Sequence, residues 1–133
     1  MDSMFLRIKG IIKKDNKYLV IKRWVDDRIP EPFVWEFIDG KVAFGESPDD
    51  AVIRLIRELI GIDGMIDKIV YTWSQMLGDT QCVGIAYVCN IDSDESNFVL
   101  PEEFGAWEWI ERDKFDHYIE NSYVLKDLEG VEL

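Results

Sequence analysis

Between Ser47 and Gly61 the sequence specifies a helix from end to end. Ser47 can cap the first free N–H groups, Pro48 suits the first helical position because it has no N–H to leave unpaired, and Gly61 suits a left-handed stop. Asp49 and Asp50 sit in the first turn, where the helix dipole favours negative charge. The spacing predicts a helix over 48–60. At about 100° per residue, Ala51, Val52, Ile53, Leu55, Ile56, Leu59 and Ile60 fill an arc of about 200°, with Arg54, Arg57 and Glu58 opposite. A half-buried surface helix shows a stripe of only about 100°. This helix therefore needs cover on two sides, from the domain itself, from a partner subunit in a homodimer, or from an apolar ligand.

The rest of the chain supplies strands for that cover. Residues 4–12 and 18–24 are rich in β-branched, aromatic and aliphatic side chains, and Lys14-Asp15-Asn16-Lys17 between them has turn chemistry, which predicts a hairpin. Pro30 and Pro32 mark residues 28–33 as a loop. A short strand is expected over 34–38 and a connecting loop over 39–45. A second strand pair, 65–77 and 80–91, is joined at Gly78-Asp79. A polar link over 92–97, a last strand over 107–110 and one or two short helices over 113–128 complete the pattern. The order is that of a layered α+β or α/β domain occupying residues 1–133 as one unit.

Composition narrows the function. With 15 basic and 27 acidic residues the formal charge is −12. Such a chain repels a phosphate backbone, so polymeric nucleic acid is not an expected partner; a small phosphorylated ligand screened by a divalent cation is. Arg7 and Lys9 interrupt the apolar N-terminus before a signal core forms, and no apolar run approaches the ~20 residues that span a bilayer, so no membrane association is expected. The two cysteines, Cys82 and Cys89, fall in one strand-like run, roughly 23 Å apart and on opposite faces, and cannot pair with each other. That usage fits a reducing cytoplasm.

Gly40, Glu46, Arg54, Ile56, Glu58, Gly61 and Ile62 stand in a fixed order: glycine, five residues, glutamate, seven residues, then an arginine-led helix closing in glycine and an aliphatic. This resembles the Nudix box. The Trp35-Glu36-Phe37 approach, the Gly45-Glu46-Ser47 entry and Trp109-Ile110 extend the likeness over roughly residues 5–115. The resemblance implies a Nudix-type α/β/α sandwich with a mixed β-sheet. It further implies a metal-dependent hydrolase of a nucleoside diphosphate linked to another group, using Mg²⁺ or Mn²⁺ on helix carboxylates.

The departures bear on that activity. The family pattern has glutamates where Leu55 and Leu59 stand, so only Glu58 remains of the helix trio. On the wheel the three positions form one cluster, and exchanging two carboxylates for leucines removes two anions and their oxygens. Weakened or altered hydrolysis is expected. The alternative is a non-catalytic module that binds a nucleotide-like or apolar ligand, or a protein partner. By resemblance, Glu58, Glu46 and Arg54 are the candidate catalytic group, with the Glu46–Arg54 pair fixing the loop on the helix. Glu58, Asp39 and Glu103 are the candidate metal ligands, since Mg²⁺ can manage with one or two carboxylates when phosphates and water complete its shell. Gly40 and Glu36 are the candidate substrate-binding positions. Plainer readings exist for each: Asp39 as a turn aspartate, Glu103 or its neighbour Glu102 as a solvated charge, Glu36 as a strand residue facing away from Trp35 and Phe37. His117, the one histidine, excludes a multi-histidine metal site. Trp24, Trp73, Trp107 and Tyr71 are expected to stack a base or to pack the core.

Overall fold

A computed structural model describes residues 3–24 and 34–133. The loop expected over 28–33 lies outside the described residues. The elements run β1 (Ser3–Lys14), β2 (Lys17–Arg23), β3 (Trp35–Glu36), β4 (Ile38–Lys41), α1 (Pro48–Ile60), β5 (Gly64–Leu77), β6 (Thr80–Ile91), β7 (Phe104–Glu111), α2 (Phe115–Tyr118) and α3 (Ser122–Leu128). Single 3-10 turns at Glu95–Asn97 and Arg112–Lys114 complete them.

The strands form one mixed sheet in the order β3-β2-β1-β6-β5, with β4 also paired to β1 and β7 to β2. β1 lies parallel to β6 from Ser3↔Thr80 to Ile12↔Cys89, and every other pairing is antiparallel. The β1–β2 turn places Asp15 and Asn16 at φ 52° and 63°, the left-handed pair of a two-residue hairpin turn, which these two residue types tolerate best after glycine.

Period-two alternation sorts the core into two layers. Ile8, Ile12, Leu19, Ile21 and Ile38 face α1 and pack with its Ala51, Val52, Leu55, Ile56 and Ile60. Ile11, Tyr18, Val20, Phe37, Val88 and Ile110 face the other way, onto Phe115, Ile119 and Leu128 of the C-terminal segment. The result is the α/β/α sandwich expected. Helix α1 keeps its expected bounds, capped by the Ser47 hydroxyl accepting from the Asp50 N–H and closed by Gly61 at φ 76°. Its apolar arc is covered by the domain: Leu55 is buried, and Ile53 and Leu59 are partly buried against the same cluster.

Three expectations are corrected. The strand expected over 34–38 is two strands on different partners, β3 on β2 and β4 on β1. Asp39, Gly40 and Lys41, expected in a loop, belong to β4. Turn-forming residue types suggested the loop, but Asp39 lies opposite Lys9 and next to Arg7, and these charges hold the segment in the ladder. The last strand is also longer than expected, from Phe104 to Glu111, along the whole of β2.

Candidate functional site

Helix α1 carries Arg54 at the centre of a network. Its Nε donates to Glu46 Oε2 at 2.8 Å, its Nη2 to Glu46 Oε1 and to the Lys41 carbonyl at 3.0 Å each, and its Nη1 to the Glu58 carboxylate at 3.2 and 3.3 Å. Glu46 also accepts the Ala43 N–H at 3.1 Å. The two bonds from Arg54, with this N–H, hold the Glu46 carboxyl below the usual carboxylate range. Arg54 thus ties the 42–47 loop, the end of β4 and the helix into one unit. Glu46, Arg54 and Glu58 are brought together, with the Glu58 side chain the most exposed of the three.

The candidate metal ligands are not brought together. Asp39 and Gly40 are successive residues of a strand and so face opposite layers. Gly40 faces α1, where a Cβ would stand 2.7 Å from both Leu55 methyls; Leu55 fills the space over it. Asp39 faces the other layer, bonded by Arg7 Nε and Nη2 at 2.9 and 2.5 Å and standing 3.4 Å from Lys9 Nζ. Glu103 is an exposed residue just before β7 whose carbonyl accepts the Trp24 N–H. Glu102 beside it is exposed too. Among the described residues no three His, Cys, Asp or Glu side chains gather so as to hold a metal ion. Glu58 is already engaged by Arg54, and the positions beside it offer leucine hydrocarbon rather than oxygen, so the helix does not fit a divalent ion.

On the opposite layer a cleft of about 660 Å³ opens between the sheet and the C-terminal helices. Arg7 and Lys9 of β1, Asp39, Trp73 of β5 and Cys82 of β6 line the sheet side; Glu120, Val124 and Asp127 line the helix side. Trp73 lies against β6 at Gly84, where any Cβ would stand 2.1 Å from the indole, so glycine is required there by close approach. Glu36 reaches the same cleft and accepts from Arg23 Nη2 at 2.8 Å; Trp35 and Phe37 pack in the second core layer and line this cleft as well, so the short β3 segment does not part Glu36 from them as alternation predicts. Burial pushes the Glu36 carboxyl up despite Arg23. Trp107 packs edge-on to Phe98, 5.2 Å between centroids, and Tyr71 packs in the core with a buried hydroxyl that lacks a protein partner among the described residues, so neither is a stacking platform of the cleft. Sequence reasoning passed over Arg7, Lys9 and Arg23. The available signal was two cations two residues apart in a strand otherwise apolar.

The sequence profile of the NUDIX domain matches residues 7–128. The chain belongs to the Nudix family. Its curated relatives include the nucleoside triphosphatase NudI of Escherichia coli O139:H28 and that of Shigella sonnei, each 28% identical over 127 residues and covering 89% of both chains. Among solved structures, the E. coli ORF135 protein superposes with a TM-score of 0.79 at 23% identity, covering 96% of this chain and 88% of that one. The MutT protein from Methanosarcina mazei Go1 gives a TM-score of 0.79 at 19% identity, covering 96% and 92%. These two likenesses show the Nudix fold. Among the described residues no helix is long and apolar enough to cross a membrane.

Proposed function

We propose that this chain binds a small nucleotide-like molecule in the cleft between the sheet and α3, and that its hydrolysis of phosphoanhydrides is weakened relative to the family pattern. The observation that carries this reading is Leu55 packed over Gly40, with the Glu58 carboxylate engaged by Arg54. Hydrocarbon in contact with that glycine leaves no room for a hydrated ion. The likeness to nucleoside triphosphatases supports nucleotides as the ligand class. A net charge of −12 argues against polymeric nucleic acid, and two free, buried cysteines fit a reducing cytoplasm.

The test is nucleotide or phosphate release from nucleoside triphosphates, dinucleotides and nucleotide sugars with Mg²⁺ or Mn²⁺, with Glu58→Gln as control. Turnover is expected well below roughly 1 s⁻¹, the low end of ordinary enzymes. Turnover within the ordinary range that vanishes in the control would overturn the reading. The double change Leu55→Glu with Leu59→Glu is expected to restore Mn²⁺ affinity, read by calorimetry.

A further inference from the structure

The cleft floor holds a charge arrangement that the helix network does not use. Arg7 and Lys9 both turn to Asp39; Arg7 uses Oδ1 and Lys9 stands 3.4 Å from Oδ2. Two cations share one carboxylate, which leaves the floor one positive charge in excess. Arg23 and Glu36, the other charged pair on the sheet side, neutralise each other at 2.8 Å. Lys9 is 6% exposed, so its ammonium has lost most of its water, yet among the described residues it has only Asp39 and the Trp73 ring, 4.6 Å from the centroid, in exchange. An ammonium carries three donors, and a π face with one distant carboxylate does not use them fully. Phe5, Trp35 and Trp73 make the cleft aromatic around this point, with the buried Phe37 beneath them.

We infer that Arg7 and Lys9, with Trp73 positioning the Lys9 ammonium, recognise a single oxyanion, a carboxylate or a phosphate, carried on a flat aromatic body. Charge-assisted bonds from Lys9 and Arg7 take the oxyanion, and the aromatic lining takes the ring. Glu120 and Asp127 on the facing wall repel a second negative charge, so the anion belongs at one end of the ligand only. This inference rests on the cleft being the ligand site.

The experiment is a set of amide and side-chain NMR titrations of the full chain with benzoate, phenyl phosphate and the neutral benzamide. At least one of the two anions is expected to bind about tenfold tighter than benzamide, a factor worth about one charge-assisted bond, with saturable shifts at Arg7, Lys9 and Trp73. The tighter of the two identifies the oxyanion as carboxylate or phosphate. Lys9→Met is expected to bring the anions to the level of benzamide, and Lys9→Arg to retain the preference. Equal binding of all three probes would overturn the oxyanion centre while leaving the cleft as a ligand site. Anion binding that survives Lys9→Met unchanged would overturn the assignment to Lys9. Shifts with no probe at any cleft residue would overturn both this inference and the reading of the cleft.

Discussion

Two glutamates in this protein respond to their surroundings in opposite directions, and the difference lies in what replaces lost water. Glu46 gains the Arg54 guanidinium and a backbone N–H, which favour its charged form. Glu36 gains one arginine contact but is buried more deeply than that contact offsets, so its charged form is disfavoured. Linkage fixes the consequence. A carboxyl lowered on folding adds stability that is present above its ordinary value of 4.5 and is lost as pH falls through the folded value. A carboxyl raised on folding binds more protons folded than unfolded, so its contribution declines as pH rises from 4.5 through the folded value. Relative to the parent chain, Glu46→Gln is therefore expected to lose thermal stability between about pH 4 and about pH 7, and Glu36→Gln to gain it, measured as Tm across that window. Of these two residues, the sequence made the Glu46–Arg54 pair legible through the box spacing. The Glu36–Arg23 pair was not, because it depends on β2 and β3 being neighbours in the sheet.

The seating of α1 on β4 rests on apolar contact between Leu55 and Gly40. The helix signals predicted its bounds, and those local effects are the ones a sequence displays directly: a cap, a proline, two first-turn aspartates, a glycine stop. The wheel set Glu58 opposite the apolar arc that holds Leu55 yet also close enough to it to form one cluster, and the structure decides between the two: Glu58 turns outward to Arg54 and Leu55 inward onto Gly40. Turn propensity could not show that Asp39 and Gly40 are strand residues looking into different layers, which separated Asp39 from the other metal candidates. Leu55→Ala is expected to cost about 2–5 kcal/mol by emptying a packed position. Gly40→Ala is expected to cost about 1–3 kcal/mol, because the added methyl would press on the Leu55 side chain. Combined, the two are expected to cost less than their sum, since the smaller side chain makes room for the methyl; chemical denaturation of the three variants closes the cycle, and strict additivity would show that they do not touch.

At the scale of the whole molecule, the cleft exists because the C-terminal segment is clamped across the sheet. Leu128 and Leu133 are buried in the second core layer, Arg112 donates to the Leu128 carbonyl at 2.9 Å, and Lys13 donates to the Leu133 carbonyl at 3.0 Å. Leu128→Ala is expected to cost about 2–5 kcal/mol and to speed amide exchange across Ser122–Leu128 ahead of α1, read by hydrogen exchange; uniform acceleration through both helices would show that the clamp is not a separate unit. The arrangement also sets an order of events for the chain as it is made. β1 emerges before its parallel neighbour β6, which begins 77 residues later at the Ser3↔Thr80 pair. Until β6 is available, β1 has its hairpin partner and β4 but an open edge on the other side, and long-range parallel pairing closes slowly. The nascent protein therefore passes through a stage with an open strand edge that carries the apolar Ile8, Ile11 and Ile12, when it is most exposed to aggregation and most in need of a chaperone.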